Sequence, residues 1–332
     1  MMKKNNIGDR SWLKVAGIAI AVAIGGCNSP SSIETTEGEQ KPRVVSTTTI
    51  IADFTERVGG DEIELKSILK AGDDPHIYEP VPQDSIALEK ADLILYNGYN
   101  LEPGIIKLIE AAGVKGKKFA VAEVVKPLDF EYEGQKVPDP HVWGDAENAI
   151  LMVNAIRDEL IEISPEDREE FNENAAELVK ELKLLDTWIE TQIETIPESN
   201  RKLVTTHDAF EYYASAYGLD ILGTLIGIST EEQPSAKTVE NLIEDVKKSG
   251  VPAIFAETTI NPRLITVVSE EAGVKLASQE LYADSIGSPG SDADTYLKML
   301  ATNTRTIVEA LGGKYTPFDR ARVESKLQES NK

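Results

Sequence analysis

A single helical pattern from Pro165 to Ile196 constrains this chain more than any other stretch. Apolar residues return at Phe171, Ala175, Leu178, Leu182, Leu185, Ile189 and Ile193, three or four apart, so that they stack on one helix face. Ser164 stands as the N-cap, Pro165 takes the first helical position, and Glu166 and Asp167 set negative charge against the positive end of the helix dipole. Pro197 ends the run, because it has no N–H to give and its ring clashes with the preceding turn. A helix of this length spans about 48 Å at about 1.5 Å per residue. That is longer than one small lobe, so it reads as a strut shared by two.

The flanking sequence fits that division. Short β-rich runs occur at Val44–Thr49, Glu64–Leu69, Leu93–Tyr96 and Lys118–Ala122 before the strut, and at Leu203–Thr205, Ala253–Ala256 and Val274–Ala277 after it. Amphipathic stretches such as Pro82–Lys90 and Ala236–Ser249 lie between them, the latter with Ser235 as N-cap and Gly250 as stop. Strand–helix–strand repetition implies parallel sheets flanked by helices. The expected fold is α/β: lobes at 43–163 and 198–332, joined by one long rigid helix within 164–197. The roughly 290 residues beyond Pro42 suit two lobes better than one core.

The N-terminus reads as a targeting segment. Lys3, Lys4, Arg10 and Lys14 precede or open an apolar run, Val15–Ile24, of about ten residues, roughly half of what a bilayer-spanning helix needs. Ile24-Gly25-Gly26-Cys27 follows, and small residues before the chain's only cysteine resemble a bacterial lipobox. That resemblance implies a signal peptide over residues 1–26, cleavage before Cys27 and lipid on its sulfur. Three acyl chains would hold the protein firmly to a membrane outside the cytoplasm, on the periplasmic side in a Gram-negative or cyanobacterial cell. Residues 27–42 are polar and read as a flexible tether. With Cys27 lipidated no cysteine remains for a disulfide, so stability must come from packing.

Charge narrows the partners. The chain has 34 basic and 57 acidic residues, net −23; without Lys3, Lys4, Arg10, Lys14 and Asp9 of the signal segment it keeps 30 and 56, net −26. That excludes nucleic acid and anionic lipid headgroups as natural partners, and it concentrates cations near the surface.

The histidines carry the chemistry. There are only three: two in the same tripeptide, Asp74-Pro75-His76 and Asp139-Pro140-His141, the third in Thr206-His207-Asp208. Proline fixes the backbone before His76 and His141, which suits side chains that must be held ready. His76 and His207 follow predicted strands, where α/β folds keep their ligands, and the three fall on both sides of the strut. A metal site between lobes is the inference. Three imidazoles and one carboxylate can close around a divalent transition ion. The carboxylate is open on spacing alone: Asp284, Asp74, Asp208 and Glu257 are all candidates. Trp143 and Tyr78 are expected to pack around the site, and Glu211 to be structural. A secreted zinc hydrolase with three histidines and an open position is the rival class. No HExxH or Gly-x-Ser-x-Gly pattern supports it. An adhesin is a second rival, with no adhesive repeat behind it.

These motifs, in this order, resemble the metal-binding solute receptors of bacterial ABC importers, the cluster that handles manganese, zinc and iron. The resemblance rests on Asp74-Pro75-His76-Ile77-Tyr78-Glu79-Pro80, Asn97-Gly98-Tyr99-Asn100-Leu101-Glu102, Asp139-Pro140-His141-Val142-Trp143, Thr206-His207-Asp208-Ala209-Phe210 with Tyr217-Gly218-Leu219, and Leu281-Tyr282-Ala283-Asp284-Ser285. It runs from about Arg43 to Gly313 and looks closest to cyanobacterial manganese-binding lipoproteins around Lys136–His141. It implies His76, His141, His207 and Asp284 as ligands, and so selects Asp284 among the carboxylates. It also implies a monomeric receptor, with no enzymatic turnover, that delivers metal to a membrane permease driven by an ATPase. One departure concerns the metal. Manganese receptors of this kind often carry glutamate where this chain has His207, and three nitrogens suit zinc. The stretch between His76 and His141 nevertheless lacks the histidine-rich loop of dedicated zinc receptors, and a bidentate Asp284 would restore oxygen to the sphere. Mn2+ is the favoured cargo and Zn2+ the alternative.

Overall fold

The computed structural model describes residues 41–111, 113–132 and 135–330. The signal segment 1–26, Cys27 and all but the last two residues of the 27–42 tether lie outside the described residues.

The first lobe is wound from β1 (Arg43–Ser46), α1 (Thr49–Gly59), β2 (Glu64–Ser67), α2 (Pro82–Lys90), β3 (Leu93–Tyr96), α3 (Pro103–Ala111) and β4 (Lys117–Ala120). Its sheet is all parallel, in the order β2-β1-β3-β4, with Val44 paired to both Leu65 and Leu93. The expected strand Val44–Thr49 stops early. The Thr48 hydroxyl accepts the Ile51 N–H at 3.3 Å and opens α1, which buries Ile50, Ile51 and Phe54. An end cap and a buried helix face together outweigh the β preference of the threonines. An antiparallel pair, β5 (Asp129–Tyr132) and β6 (Gln135–Pro138), was not expected from sequence; β6 runs straight into Asp139-Pro140-His141.

The strut differs in detail from its sequence reading. Pro165–Asp167 form a 3-10 turn, and the α-helix proper, α5, covers Arg168–Ile193, about 39 Å at about 1.5 Å per residue. The Ser164 hydroxyl does not cap the backbone; it bonds the Asp167 carboxylate at 2.5 Å. The expected face is the buried one: Phe171, Ala175, Leu178, Leu182, Leu185, Ile189 and Ile193 are all buried. The strut is also not alone, since α4 (Ala146–Ile163), capped by Asp145, packs along it.

The second lobe contains β7 (Lys202–His207), α6 (Glu211–Tyr217), β8 (Asp220–Ile226), α7 (Ala236–Ser249), β9 (Ala253–Ile254), α8 (Arg263–Ala272), β10 (Lys275–Leu276), α9 (Tyr296–Ala310) and α10 (Arg320–Ser330). β7 pairs parallel with β8, and β9 with β10. A bond from Phe255 N–H to the Val204 carbonyl, 2.9 Å, links the two pairs. α7 has the expected ends: Ser235 accepts the Thr238 N–H at 3.1 Å, and Gly250 turns left-handed at φ 69°.

Helix α5 touches α1 and α4, which precede it, and α6, α9 and α10, which follow it. The largest apolar cluster accordingly joins both lobes through α5, Trp143, Tyr213 and Tyr296. Trp143 donates from Nε1 to the Ala283 carbonyl at 3.0 Å, and Tyr296 donates to the Trp143 carbonyl at 2.6 Å, tying the lobes directly. Among the described residues no helix is long and apolar enough to cross a membrane.

Candidate metal centre

Each of the four implied side chains is delivered by a local device. In both Asp-Pro-His tripeptides the aspartate Oδ1 accepts the backbone N–H of the histidine two residues on, at 2.9 Å for Asp74–His76 and 2.9 Å for Asp139–His141. This Asx turn sets the histidine against its own backbone. His207 is the last residue of β7. Asp284 follows Leu281, which pairs with Glu257 in a parallel bridge, and Ala283, whose carbonyl Trp143 holds.

The loop Asn97–Glu102 holds the backbone just before His141. Glu102, fully buried, accepts the Asn97 N–H at 2.7 Å and the Thr47 hydroxyl at 2.8 Å, and burial pushes its carboxyl up to about 7. The Asn97 side chain in turn donates to the Pro140 carbonyl at 3.1 Å. Gly98 turns left-handed at φ 90°, where a Cβ would come within 2.8 Å of Glu123.

The four side chains meet. His76 Nε2 and His141 Nε2 are 3.3 Å apart; Asp284 Oδ1 is 3.4 Å from His141 Nε2; Asp284 Oδ2 is 3.3 Å from His207 Nε2 and 3.8 Å from His76 Nε2. Donors about 2.0–2.1 Å from a common tetrahedral centre stand about 3.4 Å from one another, so these spacings suit one small divalent ion. All four residues are buried, and among the described residues His207 Nε2 and both Asp284 oxygens have no hydrogen-bond partner. Orphaned buried polar atoms are costly. An ion among them would satisfy all three atoms at once.

Outer contacts orient two of the rings. His141 Nδ1 lies 2.8 Å from Asp139 Oδ1, and His207 Nδ1 contacts Glu257 Oε2. Glu257 also accepts the backbone N–H groups of Thr206 and His207, each at 2.8 Å, through its other oxygen. A carboxylate on Nδ1 presents the Nε2 lone pair inward and strengthens it as a donor.

Without metal the pocket holds protons. Burial disfavours charge on His141, but Asp139 and Asp284 outweigh it and push the imidazole up to about 9. His207 is raised well above the ordinary histidine value, with Glu257 and Asp284 overcoming burial. Burial and the two neighbouring rings lower His76 to about 3 against the pull of Asp284. Burial works against ionisation of Asp284, yet His207 and His141 hold it well below the usual carboxylate range.

The rival carboxylates separate by position. Asp74, Asp208 and Glu257 are not in the donor cluster. Glu257 backs His207, Asp74 binds backbone and Thr230, and Asp208, with one oxygen unpartnered, is pushed up to about 6 by burial. Trp143 packs on the site as expected, its ring 5.4 Å from that of His141. Tyr78 does not: its hydroxyl bonds Asp84 at 3.0 Å, and its ring packs on the apolar cluster beneath α2. Glu211 opens α6 while His207 ends β7, so the two share no helical face. The orienting roles of Asp139 and Glu257 went unread. The Asp139 role has a local signal in the Asx spacing; Glu257, 50 residues from His207, has none.

Two α/β lobes on a helical spine, closing on one buried set of nitrogen and oxygen donors, are the architecture of a metal-binding solute receptor. The chain belongs to the ZnuA family, described as "Zinc-uptake complex component A periplasmic", which matches residues 44–310. It is 34% identical over 295 residues to the manganese-binding lipoprotein MntA of Halalkalibacterium halodurans, covering 89% of this chain and 96% of that one. It is 35% identical over 298 residues to the manganese ABC transporter substrate-binding lipoprotein PsaA of Streptococcus pneumoniae, covering 88% and 95%. Among solved structures it is similar to the periplasmic zinc binding protein TroA of Treponema pallidum, with TM-score 0.78, 31% identity and coverage of 82% and 99%. It is also similar to an Mn-bound periplasmic metal binding protein from Candidatus Liberibacter asiaticus, with TM-score 0.74, 27% identity and coverage of 82% and 100%.

Proposed function

We propose that this protein is the extracytoplasmic receptor of an ABC importer, that it binds one Mn2+ through His76, His141, His207 and Asp284, and that it hands the ion to a membrane permease powered by an ATPase. The observation that carries this is the buried cluster itself: donors from two lobes within 4.8 Å of one another, three of their inner atoms without any other partner among the described residues. Such a site binds and releases; it runs no reaction, since Asp284 occupies the position that a hydrolytic water would need.

Manganese is favoured because each Asp284 oxygen lies within 3.4 Å of an imidazole nitrogen, so that both could reach one ion and bring the oxygen that manganese prefers. The relatives named for manganese support the same reading. Zinc is the second reading, favoured by the three nitrogens and by the similarity to TroA. We further propose a monomer of two lobes, 43–163 and 198–332, with the connecting helix in 164–197, a signal peptide over 1–26, and a lipid on Cys27 with a tether over 27–42. The lipoprotein names of the relatives support the anchor.

The test is a titration of metal-stripped protein with Mn(II) alone, then with Zn(II), at buffered free-metal concentrations. Tight uptake of one Mn(II) per chain supports the manganese receptor. Failure to take up Mn(II), with tight Zn(II) binding, makes the chain a zinc receptor. Failure with both refutes the site.

A further inference from the structure

The three imidazoles are not held alike. His141 and His207 each rest Nδ1 on a carboxylate, Asp139 and Glu257. Among the described residues no side chain is hydrogen-bonded to Nδ1 of His76, although His76 sits in the same tripeptide as His141. Asp74 is turned elsewhere. It accepts the His76 backbone N–H at 2.9 Å through one oxygen, and its other oxygen takes the Thr230 hydroxyl at 2.6 Å. Thr230 belongs to the other lobe, in the segment between β8 and α7.

His76 is also the only one of the four donors that lines the cavity of about 920 Å³ between the lobes. The wall of that cavity includes Ile228, Ser229, Glu231 and Glu232, which flank Thr230. One donor therefore faces the open side and carries no outer carboxylate, and its loop is tied to the facing lobe by the Thr230–Asp74 bond at the mouth and by the Gly72 N–H to the Ser285 hydroxyl, 3.0 Å, beside Asp284. Further interlobe bonds near the site run from Trp143 to Ala283, from Tyr296 to Trp143, from the Tyr212 hydroxyl to the Asp139 carbonyl, and between the Thr49 and Ser285 hydroxyls, and all of these are buried.

We propose that residues 227–235 form a strap across the mouth of the site, that Thr230 latches this strap to Asp74, and that the latch sets how fast the ion leaves past His76. The inference rests on the assignment of the four donors as the metal site. The latch must break before the lobes can part at the mouth, so its strength enters the release barrier. Its loss leaves the His141, His207 and Asp284 contacts intact.

The experiment compares wild type, Thr230→Val and Thr230→Ser as full-length chains in detergent, loaded with Mn(II) and, in a parallel series, with Zn(II). Each is mixed with excess EDTA, and release is followed by stopped-flow tryptophan fluorescence, to which Trp143, packed on His141, contributes. Thr230→Val keeps the volume and removes the hydroxyl bond to a carboxylate; release is expected to be about tenfold faster. Thr230→Ser restores the hydroxyl and returns the rate to near wild type. Equal release rates in all three, or a serine variant as fast as the valine variant, overturn the latch. A wild-type chain that takes up neither metal overturns the site assignment, and the latch with it.

Discussion

Loading this site must expel protons, and the number can be read from the structure. In the metal-free protein His141 is raised to about 9 and His207 well above its ordinary value, because Asp139, Glu257 and Asp284 outweigh the burial that opposes their charge. His76 is held down near 3 and Asp284 well below the carboxylate range, so neither changes protonation near neutral pH. A metal takes the lone pair of each imidazole, so binding at neutral pH displaces two protons. Apparent affinity should then rise about a hundredfold per pH unit, about 2.7 kcal/mol at about 1.36 kcal/mol per proton per unit. Above about 9, where His141 is already neutral, the dependence halves. Calorimetry of Mn(II) binding in buffers of different ionisation enthalpy counts the protons directly. A count near zero at neutral pH would refute the reasoning, since the imidazoles would have been neutral before metal arrived. Asp139→Asn is the internal check: without the carboxylate at 2.8 Å, His141 falls back and the count drops to about one. The sign for stability is the opposite. A raised histidine value stabilises the metal-free fold fully below its ordinary 6.5 and loses that contribution as pH climbs through about 9, so metal-free melting temperature should fall on the alkaline side.

Glu257→Gln keeps the size of the side chain but weakens its hold on His207, and should lower metal affinity about 10- to 100-fold in equilibrium titration; unchanged affinity would remove Glu257 from the site's support. Leu182→Ala, on the buried face of α5, should cost about 2–5 kcal/mol in denaturant unfolding. Because α5 packs on helices of both lobes, the loss should appear as one shifted transition; two separated transitions would show that the strut does not couple them. Cys27→Ser should release the protein from the membrane fraction in the native cell, and persistent anchoring would sink the lipid assignment.

Much of the architecture was legible because helices and strands write their burial into short periods. The seven apolar positions of the strut are buried as the spacing required, and Pro82–Lys90, Leu93–Tyr96 and Ala236–Ser249 have their expected bounds. The failures were also local. Val44–Thr49 was broken by a threonine cap, and the β5–β6 pair is too short and polar to stand out from loop sequence.

The site divides the same way. By itself the sequence determined which nitrogens were available, since there are only three histidines, and it placed two of them in Asx turns that need only two neighbouring residues to form. It did not determine which of four carboxylates joins them; the family resemblance selected Asp284, and the fold brings that residue to the imidazoles. Nor could it distinguish two identical tripeptides, one whose aspartate orients its own histidine and one whose aspartate reaches Thr230, 156 residues away. Periodicity and turns arise from interactions within a few residues, and these can be read along the chain. The donor set and its supports join segments far apart in sequence, and their distances are fixed only when the helical spine and the two sheets pack.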